Sequence, residues 1–331
     1  MEDYQKMDKK EVSLEDIGLR LDLFLLKHLN ESRNKIENFI KSGSVLINNS
    51  KVVKSGYKLK VNDIVMYNSK ELLKDSENES YNIDFDVEII YEDEDILVIN
   101  KPSNLTVHTA PSVKEATLVD WLKSKNFSLS TINDEYRHGI VHRLDKGTSG
   151  ILIIAKNNPT HMALSEQLSN RTMGRYYLAI VDLPLKENLF IEKPIARNQK
   201  NRLKMAISKD GRYAKTAFCK LLTSKDNNFE LIAAKLFTGR THQIRVHLNS
   251  INRHILGDNL YGFKGDCGIF SRIYLHAYIL YFIHPSKNIK MTFMAKIPKD
   301  IISFLETNFN TKEYNEKIIK DNIINCFDFI Y

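Results

Sequence analysis

The chain is poor in cysteine, with three in 331 residues. Cys219, Cys267 and Cys326 stand far apart and no C-x-x-C pair occurs. Neither a disulfide framework nor a zinc module is expected, and a reducing cytoplasm fits. No apolar run approaches the roughly 20 residues that cross a bilayer, so no membrane role is expected. The opening MEDYQKMDKKEVSLED has no apolar centre, unlike a signal or transit peptide. Catalytic signatures are missing too. There is no G-x-x-x-x-G-K-[ST] phosphate loop, no H-E-x-x-H, and no G-x-G-x-x-G or D-F-G, which argues against nucleotide-triphosphate, zinc-protease and kinase chemistry. His138 with His142, and His242 with His247, lack a third spaced ligand, so no metal is expected.

What is present is ordinary globular composition, 43% apolar and 27% charged, with a net charge of +7. The positive charge is concentrated. Arg197 to Arg245 holds 12 Lys or Arg against 3 acids, and Gly18 to Tyr67 holds 9 against 4. Basic stretches of this kind suit a polyanion partner. The stretch KELLKDSENES and the segment after Pro298 are instead net acidic.

Residues 16–67 read as a small α/β module. Leu21, Phe24, Leu25, His28 and Leu29 recur at helical spacing. Ser32 looks like the cap of a second helix carrying Ile36, Phe39 and Ile40, with Gly43 as its stop. SVLINNSKVV then reads as a hairpin turning at Asn48–Asn49–Ser50. One face would carry Arg20, Arg33, Lys35, Lys41 and Lys51. Residues 68–84 are polar and acidic, hence a linker. From 85 to 300, strand patterns mix irregularly with too few helical crossovers for a doubly wound fold, so an α+β domain with a largely antiparallel mixed sheet flanked by helices is expected. Residues 301–331 would form a C-terminal tail.

Within that domain GIVHRLDKGTSGILIIAKN, Gly139 to Asn157, sets His142, Arg143, Asp145 and Lys146 between two apolar ends expected to be buried strands. Ionisable groups so placed carry a desolvation cost unless they pair or do chemistry. Gly147 and Gly150 allow a tight loop, Thr148 and Ser149 can satisfy its backbone, and Asp145 stands at the lip of the core. A carboxylate beside a cation stays charged, as a nucleophile or base requires. An ion-paired staple and a reactive carboxylate suit these residues equally.

The same stretch resembles the active-site motif of the RluA-type pseudouridine synthases. Other landmarks of that family follow in order: DILVINKPSNLTVH (Asp95 to His108), GRYYLAI around Arg175, Tyr177 and Ala179, TGRTHQIRVHL (Thr238 to Leu248), LGDNLYG and LHAYILYFIHP. The likeness covers residues 18 to about 300. The N-terminal module is similar to the alpha-L RNA-binding fold of a small-subunit ribosomal protein. That module, with PIARNQKNRLKMAIS, points to the branch acting on large-subunit ribosomal RNA.

The resemblance implies the pseudouridine synthase fold and isomerisation of uridine in RNA, needing no cofactor and no metal. Asp145 would be the catalytic carboxylate, Tyr177 would stack on the target base near its carbon 5, and Arg245 would pair with Asp145. Arg143, His142, Arg240, Thr241 and His242 would bind substrate. Arg20, Arg33, Lys35, Lys41, Lys51 and Arg202 would contact RNA more generally. The partner would be 23S ribosomal RNA or a large-subunit assembly intermediate, and the protein a monomer. Transfer RNA as substrate, and a non-catalytic RNA-binding assembly factor, are the alternatives. Asn104 stands where the family usually has Gly, and Gly147 where Asp is frequent.

Overall fold

The computed structural model describes residues 7–29, 31, 33–68, 82–108, 113–132, 138–265 and 270–330. The chain divides into two units, Met1–Asn82 and Ile83–Tyr331. The expected linker lies mostly outside the described residues, as does the Ser32 cap.

In the first unit two helices, α1 (Leu21–His28) and α2 (Arg33–Lys41), pack with a four-stranded sheet: β1 (Asp8–Glu11), β2 (Val45–Ile47), β3 (Ser50–Lys51) and β4 (Ile64–Tyr67), in the order β1-β4-β2-β3. Asn48 and Asn49 both have positive φ, the backbone a two-residue hairpin turn demands and Asn accepts. Gly43 leaves α2 at φ 79°. Leu21, Phe24, Leu25, Ile36, Phe39 and Ile40 form the core. His28, expected inward, is exposed and meets the Phe24 ring edge to face. The sheet also takes in β1, upstream of residue 16, paired with β4. Its alternation of Asp, Lys, Lys and Glu carries no apolar signal, because all four side chains face solvent.

The second unit is built on one sheet of nine strands. They are β5 (Glu88–Glu92), β6 (Ile96–Lys101), β7 (Ser149–Ala155), β8 (Gly174–Asp182), β9 (Leu189–Glu192), β12 (Lys215–Thr223), β13 (Phe229–Leu236), β14 (Leu275–Ile283) and β15 (Lys290–Met294). The order is β5-β6-β7-β14-β8-β13-β12-β9, with β15 on β14. Among the described strands only β7 and β14 run parallel; their other pairs are antiparallel, giving the mixed, largely antiparallel sheet of an α+β domain. A separate hairpin, β10 (Ile195–Arg197) with β11 (Met205–Ile207), carries the basic PIARNQKNRLKMAIS stretch. Helices α3 (Leu118–Ser124), α4 (Asn158–Asn170) and α5 (Gln243–Asn249) complete the frame. The acidic segment after Pro298 folds as α6 (Lys299–Asn308), α7 (Thr311–Lys317) and α8 (Lys320–Asn325). Ile301, Leu305, Phe309, Tyr314, Ile323 and Phe327 bury into the same core as the sheet.

Three local readings are corrected. The first strand expected around Ile140 is a single bridge to Ile154, since the chain leaves the sheet at once to form the loop. The stretch THMALSEQL predicts a helix capped at Thr160 or its neighbour, but the cap of α4 is Asn157, whose side chain accepts from the Thr160 amide. Ser149 does not serve the loop backbone: its hydroxyl bonds His276 Nδ1 at 2.8 Å and the Arg272 guanidinium at 2.6 Å.

Gly150 is where the sheet most needs a glycine. It pairs with Ala277 across β7 and β14 at φ 118°, and a Cβ there would lie 2.2 Å from the Ala277 carbonyl oxygen. Gly150→Ala is therefore expected to destabilise the protein by about 3 kcal/mol in urea unfolding. A loss below about 1 kcal/mol would show that β7 and β14 can part without cost.

Candidate active site

The loop between Ile140 and β7 is held from three sides. Leu144 is buried beneath it. The Thr148 amide donates to the Asp145 carbonyl at 3.0 Å, closing a turn. From below, the buried Lys101 ammonium donates to the carbonyls of Pro102 (2.7 Å), Leu105 (2.8 Å) and Lys146 (3.3 Å). It thereby ties the loop to the turn after β6, where Asn104 takes φ 62° without a glycine. The Lys146 side chain leans away to Glu115 at 2.7 Å.

So fixed, the Asp145 carboxylate faces a small cavity of about 60 Å³ walled by Tyr177, Arg245, Thr148 and His242. Tyr177 is set by register. Gly150, Ala277, Tyr177 and Ala234 stand in one row across β7, β14, β8 and β13, and directly paired residues share a face. Tyr177 is 4% exposed. Burial pushes its hydroxyl above the ordinary tyrosine value, with Arg175 acting against this and Asp145 with it, so the phenol stays protonated near neutrality.

Arg245 comes from α5 and serves two carboxylates. Its Nη1 lies 3.3 Å from Asp145 Oδ2. Its Nε and Nη2 fork onto Asp258 at 2.7 and 2.8 Å, and its guanidinium sits 4.8 Å from the Tyr261 ring centre. Burial works against the Arg245 charge, but Asp258, then Asp145, hold its pKa above the ordinary arginine value. His242 caps α5 in a left-handed conformation, φ 57°. The Met205 amide donates to the Tyr261 oxygen at 2.7 Å, leaving the Tyr261 proton for His242 Nδ1 at 2.8 Å. The His242 proton then sits on Nε2, 3.9 Å from Asp145 Oδ2, beyond hydrogen-bond reach. Burial lowers the His242 pKa, against the pull of Asp145.

The remaining expected residues divide. Arg143 and Arg240 line the Asp145 cavity at its rim with Thr241, and Arg240 Nε donates to the Tyr213 carbonyl at 2.9 Å. His142 points away from Asp145 into a neighbouring cavity. Arg202 is exposed in the β10–β11 turn. In the first unit Lys41 and Lys51 are exposed. Arg20 is spent on Asp22 at 2.8 Å and Lys35 on Glu31 at 2.8 Å. The Arg33 side chain lies outside the described residues. Asp93, Asp95 and His284 gather elsewhere, but the Lys287 ammonium sits on Asp93 at 2.7 Å where a cation would bind.

Comparison with known proteins shows the family. Residues 95–250 match the family described as RNA pseudouridylate synthase, and residues 19–65 match the S4 domain. An uncharacterised RNA pseudouridine synthase of Helicobacter pylori (strain J99) is 48% identical over 316 residues, covering 93% of this chain and 95% of its own. Ribosomal large subunit pseudouridine synthase D of Zymomonas mobilis is 38% identical, covering 89% and 96%. The solved human RNA pseudouridylate synthase domain containing 1 superposes with a TM-score of 0.52 at 21% identity, over 68% of this chain and 96% of that one. This chain belongs to the RNA pseudouridine synthase family.

For a pseudouridine synthase of this build, sequence reading missed Asp258, Tyr261 and Lys101, and named Arg175 only as a landmark of the family. Asp258 and Tyr261 sit in LGDNLYG, whose order was visible but whose partner was not. Asp258→Ala would leave the buried Arg245 held by Asp145 alone. Isomerisation is expected to lose about a hundredfold in kcat with little change in KM, partly restored in Asp258→Glu; wild-type kcat in the alanine variant would remove Asp258 from the argument.

Lys101 yields a second prediction. Burial pushes its pKa down to about 7, helped by Arg272 and opposed by Asp145, whereas an unfolded lysine titrates at about 10.4. Between those values the unfolded chain binds the extra proton, so stability rises with pH. Comparing urea unfolding at pH about 7 and about 10, the wild type should gain on Lys101→Met by roughly 4 kcal/mol. A constant difference would show that Lys101 keeps its proton throughout.

Proposed function

We propose that the protein isomerises uridine to pseudouridine in large-subunit ribosomal RNA, with Asp145 as the catalytic carboxylate. The observation that carries this is one cavity holding Asp145, an arginine beside it at 3.3 Å, and the protonated Tyr177 phenol in a row of small residues. The reaction breaks the bond from the ribose to uracil N1 and rejoins the sugar to carbon 5. The carbon 5 proton leaves and N1 gains one, so the atoms balance without an external donor. Asp145 lies where a flipped base would enter, Arg245 holds it in place, and Tyr177 offers an aromatic wall on which the base can stack. Arg143 and Arg240 stand at the rim, suited to phosphate oxygens.

Ribosomal RNA as the substrate rests on the name of the Zymomonas mobilis relative and on the S4 domain ahead of the catalytic unit. The test is tritium release from RNA labelled at uracil carbon 5, using unmodified large-subunit ribosomal RNA, transfer RNA and assembling subunits in parallel. Wild type should release tritium from the ribosomal RNA without added cofactor, and Asp145→Asn should release none while still binding RNA. Full activity in Asp145→Asn would overturn the role of Asp145. Release from transfer RNA alone would overturn the substrate.

A further inference from the structure

Beside the Asp145 cavity, and sharing Arg143, Arg175, Leu236 and Gly239 with it, opens a second cavity of about 540 Å³. That volume lies in the range of small-molecule sites, and nothing in the isomerisation of a single base occupies it.

Its walls present donors. Arg175 is 7% exposed, and its buried Nε has no hydrogen-bond partner among the described residues. Buried donors without partners are rare and costly. His142 is a second case. The Ile153 amide donates to its Nε2 at 3.4 Å, and desolvation, then the Arg175 charge, keeps its pKa well below the ordinary value. The ring is neutral with its proton on Nδ1, and that buried Nδ1 also has no partner among the described residues. Arg143 and Arg171 are exposed at the mouth. No carboxylate is among the described lining residues, and of its two hydroxyl-bearing residues, Thr238 and Tyr281, Thr238 is already engaged, donating to Gln243 and accepting from the Lys215 amide. The rest of the wall is apolar or aromatic, including Ile140, Leu168, Met173, Phe237 and Tyr281.

A ligand for this cavity must bring acceptors to the inner donors, negative charge to the mouth, and a flat apolar body. A nucleotide has all three. Because the two cavities share a wall, we propose that the second one receives the nucleotide adjoining the target uridine on the same RNA strand, its base against Arg175 and His142 and its phosphate between Arg143 and Arg171. The enzyme would thus read a neighbour as well as the uridine it converts. This inference rests on the RNA-isomerase reading above.

The test uses a short RNA containing a uridine that the wild type converts. Each nucleotide flanking that uridine is replaced in turn by an abasic residue, and tritium release is followed. One of the two replacements should raise KM about tenfold, the scale of losing one stacked base, with kcat changed less than about twofold. Leu168→Trp, which fills the cavity, and Arg171→Ala, on the exposed mouth, should each raise KM on intact RNA. The Leu168→Trp penalty should largely vanish on the sensitive abasic RNA, because the two changes remove the same contact. Wild type converting both abasic RNAs as well as intact RNA would overturn the second site and leave the isomerase reading standing. So would tight binding of free guanosine or uridine monophosphate that Leu168→Trp abolishes without effect on RNA turnover, since the occupant would then be a free nucleotide. Finding no RNA with a uridine that the wild type converts would overturn both readings.

Discussion

The catalytic unit is organised around one buried guanidinium shared by two carboxylates. Burying a charge costs several kcal/mol unless its hydrogen bonds are met, and Arg245 meets them unequally. Asp258, itself buried, takes two of its N–H groups in a fork at 2.7 and 2.8 Å, while Asp145 takes one at 3.3 Å. The inequality divides the labour. Asp258 satisfies the arginine and fixes its direction, so Asp145 gains a neighbouring positive charge without being locked into a bidentate pair. Had Asp145 been the forked partner, its oxygens would be committed to a staple. One oxygen in a long contact leaves the carboxylate available to a substrate.

That arrangement depends in turn on how the sheet delivers the loop. β7 begins at Ser149, immediately beyond the turn, and its second residue touches the β14 backbone so closely that only glycine fits. The row Gly150, Ala277, Tyr177 and Ala234 then carries the position of the loop across to the aromatic wall through backbone pairing alone. The strand that follows the loop and the strand that carries the ring are thereby held in one register. Lys101 adds the vertical constraint: three carbonyls from two segments converge on its buried nitrogen, which offsets part of the desolvation that lowers its pKa.

Much of this was legible in the sequence because the chemistry is contiguous. His142 to Gly150 presents charges and glycines within one stretch, and the apolar ends announced their burial. The irregular mixing of strand patterns with helices and the scarcity of crossover helices marked an α+β domain with a largely antiparallel sheet. What sequence could not convey was pairing at a distance. Arg245 and Asp145 are 100 residues apart, Ser149 and His276 127, and no local pattern says which carboxylate an arginine will fork. His142 illustrates the same limit from the other side: three residues from Asp145 in sequence, it faces a different cavity, because the chain turns between them. Short exposed strands such as β1 also escaped, since every side chain is polar and only the backbone pairs.

The Tyr261 side chain links the basic hairpin to the support of the Asp145 carboxylate. Its oxygen accepts from the amide of Met205, the first residue of β11 in the basic hairpin, and its proton goes to His242, which caps the helix bearing Arg245. Its ring meanwhile lies under the Arg245 guanidinium. One side chain thus fixes a hairpin backbone, a histidine tautomer and the face of the arginine that holds Asp145. A tyrosine can do all three because its polar and aromatic parts point in different directions. Phenylalanine would keep the ring contact but leave both the Met205 amide and His242 Nδ1 without their partner. The position therefore demands a hydroxyl as well as a ring, and the basic hairpin and the carboxylate share a support.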